Sequence, residues 1–461
     1  MTASGSRVAV VGAGLAGITA ALACADAGHQ VTLLEARPRL GGLTASFRRG
    51  DLDVDTGQHV FLRCCTAYLG LLDRLGVRDQ VHLQPRLDIP VRTPDRAATV
   101  HLRRSGARAP LHLAGALARY SVLRPLDRLR VVRGALALRR VDRALPATDD
   151  ESFGRWLDRH AQNARTVAAL WDLVGVAALN AAAGDASLAL AATVFQEGLL
   201  TDAAAADIGW PLVPLGKLHG TAAARALAVA GAEVRPSTRA VALTPVDGGW
   251  SVGIRGAGRL TVDAVVLAVP PAAAEALLPA GALTTPPGWA ARLGATSIVN
   301  VHVVFDRPVL EEPFLAGVGT PVQWVFDRTR QSGLSRGQYL AVSLSAAQAV
   351  VDRSAADVLA DILPALRALL PAAADAEVRD AFVTRERAAT FAPLPGTAAD
   401  RPGPQTRAHG LVVAGAWTAT GWPATMEGAV RSGAAAAQVL LAKPAGPSVR
   451  GGTPVREGTA A

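Results

Sequence analysis

The first 35 residues alternate between apolar runs and glycine-containing breaks. Residues 8–11 are apolar and mostly β-branched, which predicts a buried parallel strand. An alanine- and leucine-rich stretch follows the glycines and predicts a helix that ends before Gly28. A second apolar run, residues 31–34, predicts another strand, and this strand ends at an acid, Glu35. The chain is therefore expected to begin with a strand–helix–strand unit.

Three glycines in the first turn, Gly12, Gly14 and Gly17, have the spacing of a dinucleotide-binding turn. The first permits a tight turn, the second lets the backbone approach a pyrophosphate, and the third lets the helix pack closely on the strand. The helix N-terminus offers free N–H groups to the phosphates. Glu35 follows Gly17 by 18 residues, close to the spacing of about 20 residues for an acid that bonds a ribose hydroxyl. These residues, with Leu15 and Ala16 between them, predict an FAD or NAD site, and the acid disfavours NADP.

The pattern changes three times further along the chain. Residues 171–195 are mostly apolar at helical spacing, which predicts packed helices. Residues 239–269 predict short strands, a hairpin and a buried strand, and residues 297–344 predict a β-rich stretch. This mixture predicts an α/β protein with more than one sheet.

Arginines dominate residues 103–143, where eleven of them stand against two acids, Asp127 and Asp142. The segment predicts helices with one apolar face and one arginine face, broken at Pro125. Such helices suit the surface of an anionic membrane. They equally suit a solvated pair that caps a substrate cavity, so the sequence leaves both interpretations open.

Composition excludes several classes of protein. The 461 residues are 50% hydrophobic, but no run of 18 apolar residues is free of charge, proline and glycine, so we expect no transmembrane helix. Three cysteines cannot build a disulfide framework, which fits the cytoplasm. The net charge of +9 comes with no helix-turn-helix, zinc-finger or RNA-binding motif, so nucleic acid is not an expected partner. No His/Cys cluster has the spacing of metal ligands, so we expect no metal site.

Two glycine-containing strings resemble a known group of flavoproteins. Glu35-Ala36-Arg37 is followed by Gly41-Gly42-Leu43-Thr44, and together with the first turn this pattern is similar to the flavin amine oxidase and carotenoid desaturase group. Relatives often have arginine where Leu43 stands. The resemblance implies that Gly41 and Gly42 approach a second phosphate or the ribityl chain of FAD.

Three further strings are more specific. GQHVFLRCCTAY at residues 57–68, the spaced LW…ALN…AS…VF within 170–195, and QWVFDR at 323–328 resemble the bacterial hydroxysqualene dehydroxylases, also called squalene-associated FAD-dependent desaturases. The resemblance places the stretch from Asp55 beneath the flavin ring. Taken alone, His59 would more often be a half-buried structural histidine than a catalyst.

The closing motif, residues 411–433, predicts a strand that ends at Gly415 and a helix that begins near Thr425. A helix N-terminus directed at the pyrimidine edge of a flavin would stabilise the anionic reduced form. Relatives usually have aspartate where Ala416 stands, an acid that bonds the ribityl chain.

The resemblance implies an α/β fold with a Rossmann-type FAD-binding domain of the amine oxidase and glutathione reductase-2 type. An α+β substrate domain of mixed sheet plus helices is interleaved with it. The FAD-binding domain would comprise residues 1–80, 205–285 and 405–443, and the substrate domain residues 81–204 and 286–404. The Pro/Gly-rich tail, residues 444–461, is expected to be disordered.

The resemblance also implies the site residues. Besides the first-turn residues and Glu35, the expected FAD contacts are Ala36, Arg37, Gly41, Gly42, Leu43, Thr44, Thr56, Gly57, Gln58, Val241, Gly415, Ala416, Ala424, Thr425 and Met426. Aromatic rings can stabilise a substrate cation, and the expected cavity residues are Phe61, Tyr68, Trp324, Trp417 and Trp422. His59 and Asp55 are the candidate proton donors.

The implied reaction is the reductive dehydroxylation of hydroxysqualene to squalene by reduced FAD, with an apolar isoprenoid as substrate and no assigned electron donor to FAD. One alternative is an FAD-dependent desaturase of the carotenoid or phytoene type, or another amine-oxidase-like flavoenzyme. A non-enzymatic alternative is a flavin-free prenyl-binding protein of the GDP-dissociation-inhibitor type. The expected location is cytoplasmic, with peripheral attachment to the inner face of the cell membrane if the arginine-rich segment binds lipid.

Overall fold

The computed structural model describes residues 5–96 and 98–442. The tail predicted to be disordered, residues 444–461, lies outside the described residues, as does residue 443 at the end of the predicted FAD-binding domain.

The described residues form twenty strands. In chain order they are β1 Arg7–Val11, β2 Gln30–Leu34, β3 Ser46–Arg49, β4 Leu52–Asp55, β5 Phe61–Leu62, β6 Val81–Leu83, β7 Asp88–Arg92, β8 Val100–Arg103, β9 Ile208–Pro211, β10 Glu233–Arg235, β11 Ala240–Val246, β12 Gly249–Ile254, β13 Gly258–Val262, β14 Ala264–Leu267, β15 Thr296–Phe305, β16 Phe314–Gly317, β17 Trp324–Asp327, β18 Gln338–Leu344, β19 Val378–Thr390 and β20 Leu411–Val413.

The same residues form fifteen α-helices. They are α1 Leu15–Asp26, α2 Thr66–Leu75, α3 Ala114–Arg119, α4 Pro125–Leu138, α5 Pro146–Asp149, α6 Phe153–Arg159, α7 Ala164–Thr166, α8 Asp172–Leu179, α9 Leu188–Phe195, α10 Ala222–Val229, α11 Pro271–Leu277, α12 Trp289–Leu293, α13 Thr329–Ser332, α14 Ala355–Leu369 and α15 Met426–Leu441. Short 3₁₀ turns occur at Arg78–Gln80, Leu111–Leu113, Pro371–Ala373 and Thr397–Asp400, and π-helical turns at Val167–Trp171, Gln196–Leu200 and Gly216–Thr221.

A five-stranded parallel sheet has the strand order β10-β2-β1-β14-β20. We call this sheet and the helices packed on it the nucleotide half, because it contains the turn predicted to bind a dinucleotide. Its strands are apolar on both faces because both faces are covered. Val8 and Val10 of β1 pack in one core with α1, α2, α10 and α15, whereas Ala9 and Val11 pack in a second core on the opposite face. The predicted strand–helix–strand unit is confirmed. The chain changes direction across the sheet between β1 and β14, where α/β sheets bind ligands beyond the strand ends.

A seven-stranded mixed sheet in the order β19-β15-β18-β17-β16-β7-β8 forms the second large layer. Its pairings are antiparallel except between β16 and β7. Alternate residues of β15, including Val299 and Val301, pack on the apolar side of α14, which contributes Val358, Ile362 and Leu366. The structure therefore has the predicted α/β architecture with a mixed sheet and helices beside the nucleotide sheet.

The arginine-rich segment begins with β8 and continues into α3 and α4. Pro125 occupies the first turn of α4, so the predicted break is confirmed. The prediction of one apolar face and one arginine face is wrong for α4. Its inner side buries Val131 and Leu138, but its outer side carries further exposed apolar residues among the arginines. Among the described residues, no helix combines the length and the apolarity needed to cross a membrane.

A buried carboxylate, Asp207, which directly precedes β9, joins three segments of the chain. It accepts hydrogen bonds from Arg63 Nε at 3.0 Å, from Arg104 Nε at 2.6 Å and from the Leu87 backbone N–H at 2.7 Å. Burial by itself raises the pKa of Asp207, but the bonds from Arg104 and Arg63 outweigh it and hold the pKa below its ordinary value. The arginine that follows Leu62 in the most specific string is therefore part of an ion triad.

We expect Asp207→Ala to lower the free energy of unfolding by about 3–5 kcal/mol, because it leaves two guanidinium groups without their shared partner. The matched control is Asp26→Ala, which removes an exposed pair with Arg74 at 2.6 Å and should cost about 0–1 kcal/mol. Because the folded-state pKa of Asp207 is lowered, its contribution is present above the pKa of the unfolded carboxyl and is lost as the pH falls through the folded value. Urea denaturation at neutral and acidic pH measures both effects. Equal losses in the two variants would contradict the triad's importance.

Candidate functional site

The first glycine turn is too tight for any side chain. A Cβ on Gly17 would lie 1.9 Å from the Gly12 carbonyl oxygen, and a Cβ on Gly12 would lie 2.4 Å from the Ala268 oxygen beyond β14. Gly12 also has φ +101°, a conformation that glycine adopts readily. Helix α1 begins at Leu15 and Ala16 directly after Gly14, which caps it without a side-chain hydrogen bond. The N–H groups at this helix end are therefore available to an anion.

A second glycine turn meets the first. Gly41 and Gly42 have φ +104° and +57°, and the Gly41 N–H donates to the Ala13 oxygen at 2.8 Å. A Cβ on Gly42 would lie 3.0 Å from Gly14 Cα. Thr44 closes the turn, because its hydroxyl donates to the Gly41 oxygen at 2.8 Å. Two backbone turns without side chains thus form a single cradle.

Glu35 is held in place by backbone donors. Its carboxylate accepts the Ala13 N–H at 2.8 Å and the Arg37 N–H at 2.8 Å, while Ala36 between them is exposed. The Thr238 N–H donates to the Glu35 carbonyl at 2.7 Å, which brings the start of β11 to this acid. These contacts fix the carboxylate beside the first glycine turn, as the ribose-binding prediction requires.

Val241 lies a few residues further along β11. It is exposed and sits at a β-bulge between Ala240 and Ala242. The structure therefore places Val241 on the strand that starts beside Glu35.

The stretch after β4 contains one buried donor that lacks an acceptor, and its hydrogen-bond partner Arg328, which follows β17, carries a second. Thr56 is anchored by its hydroxyl to the carbonyls of Leu43 and Ala45 at 2.6 and 2.9 Å. Two residues later, beyond Gly57, Gln58 accepts a hydrogen bond from Arg328 Nε at 2.5 Å. Gln58 Nε2 and Arg328 Nη2 are both buried and have no partner within the described residues.

Arg328 was not predicted as a site residue, although it ends the string QWVFDR. It is buried and forms no ion pair within the described residues, and burial lowers its pKa. A buried, unpaired guanidinium group is costly unless something else satisfies it. The sequence offered a weak signal, since the family-like string contained the residue without indicating its environment.

Asp55, the last residue of β4, is buried beneath this stretch. One of its oxygens, Oδ1, accepts the Ser46 hydroxyl at 2.6 Å and the Leu215 N–H at 2.9 Å. Burial raises the pKa of the carboxyl, although the Arg328 charge and the two hydrogen bonds oppose the shift. The environment of Asp55 therefore favours its protonated form more than water does.

Burial shifts the pKa of His59 in the opposite direction from that of Asp55. Burial lowers its pKa to about 4, and the nearby Arg328 charge acts in the same direction, while a hydrogen bond with the Leu43 backbone opposes them. The imidazole is consequently neutral at physiological pH. Of the two predicted proton donors, the structure gives Asp55 the environment of a weak acid and His59 that of a neutral ring.

The closing motif has the predicted geometry. Strand β20 precedes Gly415, which has φ +149° and donates its N–H to Ser432 Oγ at 2.8 Å. Helix α15 begins at Met426, and Thr425 is its N-cap, accepting the Gly428 N–H at 3.1 Å. The predicted helix start near Thr425 is confirmed. Ala416 and Ala424 lie in the half-buried loop between strand and helix, and the Ala416 carbonyl accepts Arg401 Nη2 at 3.3 Å.

Glu427, in the first turn of α15, was missed by sequence reasoning. It is 1% exposed and accepts the N–H groups of Ala67 and Tyr68 at 3.2 and 2.8 Å, so it caps α2 from another element. Arg431 donates to the same carboxylate at 2.7 Å. This contact joins the closing motif to the end of the string GQHVFLRCCTAY, and no local pattern in either string indicates it.

Two of the five predicted cavity aromatics pack in the core of the nucleotide half. Phe61 and Tyr68 are buried with ring centroids 5.2 Å apart. The Tyr68 hydroxyl bonds His219 Nε2 at 2.9 Å, and His219 Nδ1 lies 3.2 Å from the Thr44 oxygen. These contacts give Phe61 and Tyr68 a packing role, and their role in a cavity wall stays a prediction.

Of the three predicted tryptophans, Trp417 and Trp422 lie in the loop between β20 and α15, and Trp324 begins β17. Trp417 stacks on Trp289 at 4.9 Å and donates to the Val269 oxygen at 3.0 Å. Trp324 is half-buried in the seven-stranded sheet beside Phe326. Trp422 lines a cleft of about 960 Å³. The structure therefore does not gather the five aromatics into one wall.

This cleft lies between the loop 419–422 and α9, with residues 141–146 at its opposite edge. Its lining mixes apolar residues such as Leu145 and Leu190 with ionic ones such as Arg143 and Glu197. Its volume is at the upper end of the range of about 300–1,000 Å³ usual for ligand pockets. Among the described residues, no group of three or more His, Cys, Asp or Glu could hold a metal ion.

Comparison with known proteins identifies this architecture. The flavin-containing amine oxidoreductase family matches residues 15–441. The chain belongs to this family. A hydroxysqualene dehydroxylase of Sinorhizobium fredii is 31% identical over 95% of the chain and 99% of its own length. A protein of the same name from Rhodopseudomonas palustris is 32% identical over 94% of the chain and 98% of its length. The sequence resemblance is thereby confirmed.

Solved structures agree on the fold. A putrescine oxidase superposes with a TM-score of 0.70 at 21% identity, covering 95% of this chain and 99% of its own. An oxidoreductase from Methanosarcina mazei gives a TM-score of 0.71 at 16% identity, covering 93% and 99%. Family membership makes the protein an FAD-dependent oxidoreductase.

The residues present suit FAD. The cradle is tight at Gly42, where a Cβ would lie 3.0 Å from Gly14 Cα, and the end of α1 without a side-chain cap provides donors for phosphate oxygens. Two backbone N–H groups fix the Glu35 carboxylate beside the first glycine turn. The unpartnered donors on Gln58 and Arg328 suit the acceptor atoms of a flavin ring. We assign the adenine end to Glu35, the pyrophosphate to the two glycine turns, and the ring to Gln58, Arg328 and the N-terminus of α15.

We expect Gly42→Ala to lose FAD, because its Cβ would lie 3.0 Å from Gly14 Cα. The matched control is Gly50→Ala, which has a similar φ of +55° but nothing within 4 Å of the new Cβ. Both variants bear the same backbone strain, about 1 kcal/mol. The flavin-to-protein absorbance ratio after gel filtration is the measurement. Full FAD retention in both variants would contradict the cradle.

Proposed function

We propose that this protein catalyses the reductive dehydroxylation of hydroxysqualene to squalene. The observation that carries the proposal is the full-length similarity, 31–32% identity over 94–95% of the chain, to two proteins named hydroxysqualene dehydroxylase. A zeta-carotene desaturase of Zea mays, in contrast, matches over 36% of the chain. The proposed place of this reaction is the biosynthesis of squalene-derived triterpenes such as hopanoids.

The reaction requires a proton for the leaving hydroxyl and a hydride for the carbon it leaves. The C–O bond breaks, the oxygen departs as water with the donated proton, and a C–H bond forms. Reduced FAD supplies the hydride when bound. The chain's own residues must therefore supply the proton, hold the substrate and keep bulk water away from the cationic carbon.

We assign the proton to Asp55. Its pKa is raised by burial, and Ser46 and Leu215 bond one oxygen, so the proton is assigned to Oδ2. His59 has a pKa of about 4 and carries no proton to give from an imidazolium at neutral pH.

The cleft beside Trp422 is the proposed substrate site. An aromatic face can stabilise a developing cation, and Trp422 contributes such a face to the cleft. Loop 419–422 also leads into the N-terminus of α15, where the flavin ring is assigned. This arrangement would bring an apolar chain to the reactive edge of the cofactor.

A desaturase acting on a carotenoid-like polyene is the second candidate, supported by the 32% identity to the maize desaturase over 180 residues. It would run the flavin in the oxidative direction. Membership of a flavin-containing family argues against the flavin-free prenyl carrier.

Substrate chemistry also bears on location. Hydroxysqualene is water-insoluble and would be stored in membranes, so we propose a cytoplasmic protein that attaches peripherally to the inner face of the cell membrane. The reductant that renews reduced FAD is left open.

Anaerobic incubation separates the two enzymatic candidates. The photoreduced protein mixed with hydroxysqualene should yield squalene while the absorption band of oxidised flavin at roughly 450 nm returns. If the reduced protein leaves hydroxysqualene intact while the oxidised protein dehydrogenates a polyene, the desaturase assignment replaces the present one.

We expect Asp55→Asn to retain FAD and to slow flavin reoxidation by hydroxysqualene about 100-fold or more, the usual contribution of a general acid. The wild-type rate should fall as the pH rises through the raised pKa of Asp55, because only the protonated carboxyl is active. Asp51→Asn, exposed in the turn between β3 and β4, is the control and should leave the rate unchanged. His59→Ala should keep the pH profile. If Asp55→Asn and His59→Ala both turn over at the full rate, neither residue is the acid.

A further inference from the structure

Helix α4 carries an apolar stripe on its solvent side. Its inner face buries Val131, Gly134 and Leu138. Its outer face exposes Leu126 at 68%, Leu129 at 67%, and also Val132 and Leu136. Their spacing of three and four residues places them on one side of the helix. We call these four side chains the outer stripe.

Unpaired arginines surround the outer stripe. Arg119, Arg124, Arg133, Arg139 and Arg140 are exposed and have no acidic partner in the part of the chain that the structure describes. Other arginines of the segment are engaged, since Arg130 pairs with Asp127 at 2.7 Å and Arg128 donates to backbone carbonyls.

The two acids of the segment do not neutralise this surface. Asp127 is buried and bonded to Arg130 and Asn163. Asp142 is exposed and accepts the Ala144 N–H at 2.9 Å, and its single negative charge offsets only one of the five unpaired arginines. The face around the outer stripe therefore presents apolar side chains and uncompensated positive charge together.

The same face leads to the substrate cleft. The cleft edge, residues 141–146, begins three residues after α4 ends at Leu138. Leu145 is exposed and lines the cleft, and Arg143 bonds Glu197 across it at 2.8 Å. The segment that lines this edge of the cleft thus follows α4 directly.

We propose that α4 docks on a lipid bilayer containing anionic phospholipids, and that the apolar substrate enters the cleft from that bilayer past Leu145 and Arg143. The second half of the proposal rests on the proposed function. The outer stripe enters the boundary between headgroups and acyl chains, and the five arginines bind lipid phosphates.

Charge argues against a second copy of the chain as the occupant. Two such faces brought together would oppose ten guanidinium groups against the two exposed Asp142 carboxylates, which is repulsive. A bilayer instead supplies an apolar layer and a negative layer in the order that the exposed stripe and its arginines require.

Flotation tests the docking. The protein should float with vesicles of phosphatidylcholine and phosphatidylglycerol at low salt, should detach at high salt, and should not float with phosphatidylcholine alone. Absence of flotation with anionic vesicles at low salt would overturn the docking.

Charge and stripe variants test the surface separately. Vesicle binding should weaken on the order of 100-fold in the triple variant Arg133→Gln, Arg139→Gln, Arg140→Gln. The matched control replaces three exposed arginines elsewhere, Arg255→Gln, Arg259→Gln and Arg336→Gln. This control should change vesicle binding little. Leu129→Ser with Leu136→Ser should weaken binding about tenfold or more, against Val229→Ser with Val246→Ser, which are exposed on other elements. Binding equal to wild type in either α4 variant would contradict the assignment to this face.

Delivery of substrate tests the entry route. The triple arginine variant should lose turnover of hydroxysqualene supplied in anionic vesicles and keep turnover of detergent-dispersed hydroxysqualene. Loss with both would contradict the entry route and indicate damage to the site. Flotation without any turnover in the wild type would defeat the proposed function and leave the docking intact.

The oligomeric state in solution distinguishes a bilayer from a second copy of the chain as the occupant of this face. A dimer in solution that the stripe variant dissociates would identify the face as an interface between copies and would overturn the bilayer proposal.

Discussion

Close approach of backbone to backbone at the carboxyl end of β1 is the constraint on which the site depends. Gly17 packs against the Gly12 carbonyl and Gly12 against Ala268 at distances that leave no room for a Cβ, and a Cβ on Gly42 would press on Gly14 at 3.0 Å. These contacts set the distance between α1, β14 and the second glycine turn. Glu35 then bonds the Ala13 N–H within the same turn. Affinity for a dinucleotide follows from backbone geometry, and the side chains mainly orient it.

Side chains, together with the N-terminus of α15, form the part of the site assigned to the flavin ring. Gln58 and Arg328 bond each other and each retains an unsatisfied buried donor, which a protein core ordinarily avoids. The same guanidinium charge lies near Asp55 and His59 and shifts both pKa values in the lowering direction, while burial separates them. One buried cation thus helps to set the protonation of both candidate acids.

Local patterns predicted the nucleotide half well, because each feature there is short-range. Spacing of glycines, an apolar strand and a terminal acid specify the turn after β1, and a threonine before an apolar helix specifies the start of α15. Contacts between distant segments could not be predicted. The Glu427 cap on α2 spans 359 residues to Tyr68, and the partner of Gln58 lies 270 residues away. For α4, periodicity indicated a helix with one apolar face, whereas the folded helix has apolar residues on both its buried and its exposed side.

The Glu427 cap has a consequence for the order in which the protein can be completed. A ribosome releases the first glycine turn and α2 early, yet β14, β20 and α15 come from the last 200 residues. Until α15 has been synthesised, the N-terminus of α2 lacks its carboxylate and the central sheet lacks its edge strand. The assigned FAD site is therefore assembled from both ends of the chain. A truncated or nascent chain that already contains the dinucleotide turn still lacks the elements assigned to the flavin end. FAD binding therefore requires that synthesis has reached α15.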